Sequence, residues 1–445
     1  MAGVLGGGAG VEALLCEVAQ QPRSWAVSSV RGGPDAGVSP GADRLNPMKL
    51  AFKYRFYPTQ EQASILARTF GCARYVYNFG LALRRDAYER FGARLRYKDT
   101  SAALTVLKKQ EETAWLKEVS SVPLQQSLRH LDKAFTNFFK GSGYPRFKRK
   151  HARPSATYAH SAFTYSVEDG TPVLRLAKMA DSLDVRWSRH PLSEPSTVTV
   201  SRDATGRYFV SLLCEVEPEP LPPLEKAVGI DVGLIDLMVT SDGEKTGNPK
   251  FLERDLKRLS KAQRRLSRKQ KGSNRYAKQR RRVARVHASI RDQRQDYLHK
   301  LSTRLIRENQ TICLESLNVC GMLKNRRLAR HIAGAAWSEL VRQLEYKAVL
   351  YGREVVRIDP WFPSSKRCSN CGEKVGELPL SVRVWNCEVC GAVHDRDVNA
   401  ALNILAAGQA AIARGGNVRP NSVDGSTRAA NAEQGSPIEA RILAL

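Results

Sequence analysis

The chain has 445 residues, and its 71 Lys and Arg stand against 44 Asp and Glu, giving a formal net charge of +27 and an isoelectric point near 9.9. That length suits roughly two to four domains with a sizeable core, and the charge is the footprint of a protein that sits on phosphate. No apolar run nears the length of a membrane span, and no basic start with an apolar block opens the chain. Neither a membrane anchor nor a signal peptide is expected, and nucleic acid inside the cell is the expected partner.

Residues 1–47, rich in Gly, Ala, Ser and Pro without a sustained period, read as a disordered extension or a misassigned start. From Met48, "MKLAFKYRFYPTQEQ" predicts a strand and then a helix over 61–90, with Thr59 as N-cap. Leu66, Phe70, Ala73 and Tyr77 continue that helix at its spacing. A second helix, over 123–141, carries Leu124, Leu128, Leu131, Phe135 and Phe138 on one face. It runs into "GYPRFKRKH", where aromatics alternate with bases. Strands follow over 160–217, including a hairpin turning at Asp203 to Gly206. "EPEPLPPLEK" then reads as a domain linker.

From 226 the order is strands, helix, strand, helix, strand, which predicts an α/β sheet with helices packed on it. The helical stretch 252–308 is a hairpin broken at "KGSN". Between Lys257 and Arg294 it holds about sixteen Lys or Arg against one acid. A solvated helix face ordinarily mixes both signs, so this one is expected to meet phosphate. Its candidate contacts are Lys257, Arg258, Lys261, Arg264, Arg265, Arg268, Arg281, Arg282 and Arg285.

Five of the nine cysteines (Cys16, Cys72, Cys214, Cys313 and Cys320) sit among apolar or small neighbours and read as buried thiols. The other four form Cys368-Ser-Asn-Cys371 and Cys387-Glu-Val-Cys390, fifteen residues apart, the spacing of a structural zinc site. Gly372 and Gly391 follow the pairs, where a knuckle turn wants positive φ. Redox chemistry is the rival reading, although one CxxC would suffice for it. Four thiolates close a tetrahedron, so this zinc is expected to be structural, and His394 is left without a ligand's role.

Three carboxylates stand where strands end or a helix begins: Asp231 in "VGIDVG", Glu315 in "ICLESL" and Asp397 in "HDRDVNAALNI". Each has a plainer reading, Glu315 as an edge-strand surface acid and Asp397 as a helix cap or first-turn acid. Asp231 is harder to dismiss, because a buried carboxylate is costly unless it meets a cation. Three such acids in a chain this basic suggest a divalent-metal site for phosphodiester hydrolysis.

"GIDVG", "CLESLN" and "DRDVNAALNI", in that order and with the ribbon ahead of the third, resemble the TnpB (OrfB) proteins of bacterial insertion sequences. "NVCGMLKNRRLAR", "GRE", "DPWFPSSKRCSNCG" and "KYRFYPTQEQ" are similar to the same family, and the likeness covers roughly residues 48 to 407. It implies an α/β fold: a RuvC-type RNase H-like nuclease domain, related to the type V CRISPR effectors, with an inserted four-cysteine zinc ribbon. A helical recognition region and a β-barrel wedge region would precede it, over 48–225. The nuclease domain would span 226–362, the ribbon 363–394, the last motif and its helix 395–410, and a disordered tail 411–445. The implied activity is that of a transposon-encoded RNA-guided DNA endonuclease, indirectly involved in DNA transposition. Asp231, Glu315 and Asp397 would hold Mg²⁺ or Mn²⁺, with Asp395 a rival for the third place. Cys368, Cys371, Cys387 and Cys390 would hold Zn²⁺. The implied partners are a guide RNA from the transposon and double-stranded target DNA, in the bacterial cytoplasm and at the nucleoid when bound. Base pairing would supply specificity while protein reads the backbone and a short flanking motif. Ser316 departs from the acid or amide of many relatives without removing a ligand.

Two other functions compete. A strand transferase would want a His-x-His pair, or acids ordered Asp, Asp, Glu; the histidines lack that spacing and the order here is Asp, Glu, Asp. A non-catalytic zinc-containing regulator of its own element would bind nucleic acid without cutting it.

Overall fold

Strand β1, Met48–Tyr57, buries Phe52, Tyr54 and Phe56 and exposes Lys53, Arg55 and Tyr57 between them, the period of a half-buried strand. The computed structural model to which it belongs describes residues 47–379 and 381–414. The disordered segments expected over 1–47 and 411–445 lie outside these residues, apart from Pro47 and 411–414. The described chain divides into two compact units at Val216 and Glu217.

In the first unit β1 leads into helix α1, Gln60–Phe91. Thr59 Oγ1 accepts from the Gln62 N–H at 3.2 Å and Gln62 Oε1 accepts from the Thr59 N–H at 3.1 Å, a reciprocal cap. Gly92, at φ 62°, ends the helix in the left-handed conformation. After α2, Tyr97–Leu107, comes α3, Ser121–Phe139. It starts and stops two residues before the expected 123–141. Pro123 falls in its first turn, where a missing N–H costs nothing. Leu128 and Leu131 pack where Gly80 of α1 leaves room; a Cβ there would lie 2.8 Å from Leu128 Cδ2.

Strands begin at Ser155 rather than 160: β2 (Ser155–Ala159) is a short edge strand, too brief to show a period. The rest are β3 (Phe163–Glu168), β4 (Thr171–Leu176), β5 (Asp184–Arg186), β6 (Pro195–Arg202) and β7 (Tyr208–Val216). They form a sheet ordered β2-β6-β7-β1-β5 and a separate β3-β4 hairpin. Strand pairing leaves β2 and β5 as edges, so the sheet is not closed into a barrel by hydrogen bonds.

The second unit is mixed α/β. Its sheet, ordered β10-β9-β8-β11-β12, consists of β8 (Ala227–Val232), β9 (Asp236–Thr240), β10 (Lys245–Gly247), β11 (Thr311–Leu314) and β12 (Glu354–Arg357). β8, β9 and β10 meander antiparallel, whereas β11 runs parallel to both β8 and β12. Helices α4 (Phe251–Ser267) and α5 (Asn274–Glu308) form the basic hairpin, and α6 (Trp337–Tyr351) links β11 to β12. Val228, Ile230, Ile312 and Leu314 point to one face, against Leu298, Leu301 and Leu305 of α5 and Leu340 and Leu344 of α6. The other face receives α7, Arg396–Ala413. There the approach is so close that a Cβ on Gly229 would lie 2.0 Å from Ala401 O, and one on Gly408 2.2 Å from Cys313 Sγ. α7 outlasts its expected end at 410 because "AAGQAAIA" is rich in the best helix former. The proline-rich segment after Val216 is not a free linker. Arg353 donates to the carbonyls of Leu221 at 3.4 Å and Pro222 at 2.9 Å, strapping it to the second unit.

Candidate active site and cysteine ribbon

Strand parity decides what the acids face. Gly229 pairs with Cys313 and Ile230 with Leu314 in the parallel register, so Glu315, one residue past the pairing, stands opposite Asp231. Both follow the parity of Gly229 and Cys313, the residues that meet α7. They therefore lie on the α7 side, at the carboxyl ends of the parallel strands, where open α/β sheets bind ligands. Asp397, in the first turn of α7, lies near enough for its charge to act on Asp231.

Burial, and then the charges of Glu315 and Asp397, push the Asp231 carboxyl up to about 8, against the opposing pull of Arg396 and the Val232 N–H. A carboxylate cluster that resists its own ionisation is one that a cation would stabilise. Each of the other acids has a holder. Glu315 accepts a hydrogen bond from the Ser364 hydroxyl. Ser316 Oγ donates to Ile358 O at 2.7 Å, tying the end of β11 to that of β12. Asp397 receives Arg383 Nη1 at 3.2 Å on both oxygens.

Asp395 does something different. It is the N-cap of α7, its Oδ1 accepting from the N–H groups of Asp397 and Val398 at 3.1 Å each. Its Oδ2 lies 2.5 Å from Lys245 Nζ. Burial alone would raise its pKa, but Lys245 and the two N–H groups hold it below the usual value.

The ribbon's four Sγ atoms all lie within 4.8 Å of one another, and among the described residues they are the sole metal-sized cluster; the three carboxylates do not converge so tightly. Cys368 to Cys390 and Cys371 to Cys387 are each 3.6 Å apart. A tetrahedron with metal–sulfur bonds of about 2.3 Å has edges of about 3.8 Å, so the donor set fits such an ion. Gly372 and Gly391, at φ 81° and 72°, return their N–H groups to Cys368 and Cys387 carbonyls at 2.9 and 2.8 Å. His394, on the β13–β14 hairpin (Val384–Asn386 with Val393–Asp395), brings Nε2 to 3.0 Å from Cys368 Sγ. That is a hydrogen bond to sulfur, which leaves the four-thiolate set intact. Cys320, expected to be buried, is exposed, since it lies on one short solvent-facing turn, Val319–Met322.

Several of these residues carry no signal in the sequence. Arg383 is one. Asn399 and Asn403, a turn apart on α7, are others: Asn403 Nδ2 donates to Arg367 O at 2.6 Å and Ser364 O at 2.8 Å, and Asn399 Nδ2 to Arg367 O at 2.8 Å. Their presence within "DVNAALN" was the one available hint. The nine hairpin cations are all exposed. Arg258 pairs with Asp255 at 3.6 Å, and the other eight make no ion pair among the described residues.

A mixed α/β unit with three facing acids, interrupted before the third by a four-cysteine ribbon, defines a class of nucleic-acid proteins. The family model for a "Probable transposase" of the OrfB type matches residues 211–326, and the model for a "Cas12f1-like, TNB domain" matches 337–404. A "Helix-turn-helix domain" model of the same type matches 48–93, which here form one strand and one long helix. A Streptomyces pristinaespiralis protein named "Putative RNA-guided DNA endonuclease" is 58% identical, the match covering 88% of this chain and 97% of that relative. An Escherichia coli K12 relative, "Putative RNA-guided DNA endonuclease InsQ", is 34% identical over 82% of this chain and 94% of its own. The chain belongs to the TnpB (OrfB) family. A solved Cas12f1–sgRNA–target DNA complex is 15% identical over 81% of this chain and 99% of that one, at a TM-score of 0.48.

Proposed function

We propose that this chain is a transposon-encoded RNA-guided DNA endonuclease that hydrolyses phosphodiester bonds with Asp231, Glu315 and Asp397 as its catalytic acids. One observation carries the assignment: Asp231 and Glu315 stand opposite each other at the carboxyl ends of paired parallel strands, on the face that receives the helix whose first turn holds Asp397. The names of the relatives support the activity. The sheet order, antiparallel on one side of β8 and parallel on the other, supports an RNase H-like domain of the RuvC type.

In this reading the three carboxylates hold Mg²⁺ or Mn²⁺, which supplies Lewis acidity to the attacking water and the leaving oxygen. Ser364 orients Glu315, and Asp395 fixes the start of α7 so that Asp397 stays turned toward Asp231. The four cysteines hold a structural Zn²⁺. Residues 48–225 serve as the recognition and wedge regions, and the hairpin cations meet nucleic-acid backbone. The partners are a guide RNA and double-stranded DNA, in the bacterial cytoplasm. Among the described residues no helix is long and apolar enough to cross a membrane.

The test is cleavage of a matching duplex by protein carrying its native guide RNA, with Mg²⁺ present. The unmutated protein should cut and Asp231→Ala should not. Tight binding without cutting by the unmutated protein would favour the regulator.

A further inference from the structure

The segment after α3, "KGSGYPRFKRKHAR", holds aromatics and bases and not one acid. One side chain of α1 holds its backbone. Asn78 Nδ2 donates to Lys148 O at 3.0 Å, and Lys148 N donates to Asn78 Oδ1 at 2.8 Å, so one amide satisfies the backbone as a neighbouring strand would. Tyr144 sets its ring edge-on against Phe135 and Phe138, at centroid distances of 5.6 and 5.3 Å. The Arg85 guanidinium lies 5.7 Å from the Phe147 ring centroid. Lys148 Nζ lies 4.2 Å from that of Tyr77.

Anchored in this way, the rings still face water: Phe139 is 73% exposed, and Tyr144 and Phe147 are each 46% exposed. A lone exposed ring needs no explanation, but three exposed rings within nine residues of chain, two of them beside the same Arg85, do. Around them Lys140, Arg146, Arg149 and Lys150 are exposed and make no ion pair among the described residues. Of the nearby acids, Asp132 is held by Arg84 at 2.7 Å, and Asp86 and Glu89 by Arg85 at 2.9 and 3.9 Å. Rings flanked by free cations match a chain of phosphates carrying flat bases, and only unpaired bases have faces to offer.

We infer that Phe139, Tyr144 and Phe147, with the cations beside them, form a stacking platform for an unpaired segment of RNA. The choice of RNA rests on the guide-carrying function proposed above, since a guide must be held with bases free to pair. The stacking itself rests only on the exposed rings and their charge.

Fluorescence anisotropy on the full chain tests it, using a labelled mixed-sequence single-stranded RNA, the same RNA as a duplex, and the equivalent single-stranded DNA. Phe139→Ala with Phe147→Ala should weaken binding of the unpaired RNA about tenfold or more and barely change duplex binding. The slope of log affinity against log salt should stay the same, because the rings carry no charge. Phe139→Tyr with Phe147→Tyr should bind as the unmutated chain does, and thermal melting should show both pairs folded. Arg149→Gln with Lys150→Gln should instead flatten the salt slope. Unchanged RNA binding in the alanine pair, equal loss for duplex, or a preference for single-stranded DNA would overturn the platform. Cleavage is scored apart. Ring-dependent RNA binding by a protein that never cuts sinks only the nuclease assignment, and normal RNA binding by ring variants of a protein that does cut sinks only the platform.

Discussion

Asp231 is where pH enters. Its folded pKa of about 8 stands above the usual 3.8, so without metal the folded chain holds a proton that the unfolded chain has released. That contribution to stability is complete below about pH 4 and is lost as pH climbs toward 8. Urea unfolding in chelator should therefore show a stability falling between pH 5 and pH 8, a fall that Asp231→Asn reduces. An unchanged slope in the variant would show that the carboxyl titrates normally. Arg383 makes a second case. Its pairing with Asp397 is partly solvent-exposed and is worth no more than about 1 kcal/mol to the fold. Yet it places a cation beside a carboxylate assigned to metal. Arg383→Gln should leave the melting temperature nearly unchanged and tighten Mn²⁺ binding measured by calorimetry; weaker binding would mean that the guanidinium assists the site.

At the scale of elements, the close seating of α7 on β8 and β11 governs where Asp397 stands. Gly229→Ala puts a methyl into the Ala401 carbonyl, backbone that has no rotamer to change. α7 must shift, and Asp397 with it. Cleavage should fall at least tenfold, as small misplacements do in positioned chemistry, while the first unit's melting is unaltered. Full activity in Gly229→Ala would show that α7 tolerates displacement. This scale also shows what the sequence could disclose. The cysteine spacing and the order of the acids are local patterns, legible before any fold is known. Arg383, Asn403 and Ser364 were not legible, because their partners lie 14, 36 and 49 residues away and no periodicity links them. Helix ends slipped by two residues where Pro123 allowed an earlier start, and the edge strand β2 was too short to register.

Across the whole molecule the charge is uneven. The α4–α5 hairpin clasps itself through Gln279 Nε2 to Ala262 O at 3.0 Å and the apolar seam of Leu252, Leu259, Val283, Val286 and Ile290, so the nine candidate cations can face outward. Replacing Arg264, Arg265, Arg281 and Arg282 with Gln should lower the salt slope of nucleic-acid binding by up to about 0.9 per phosphate contact removed, without changing the melting temperature. A slope that stays put would assign those cations to solvent. The composition made a phosphate partner legible at once. The way a neutral seam keeps the two helices together despite that charge depended on packing that the count of bases does not describe.

The hairpin β13–β14 ends at Asp395, two residues ahead of Asp397, so the chain reaches its third acid only by way of the ribbon. Cys371 and Cys390 are exposed, as is Cys320, and exposed sulfur is within an oxidant's reach. Oxidation at the ribbon would thus strike just upstream of Asp397, away from the cations of the basic hairpin. With the proposed roles of Asp397 and the hairpin cations, a chain oxidised at the ribbon would keep its hold on nucleic acid and lose cleavage.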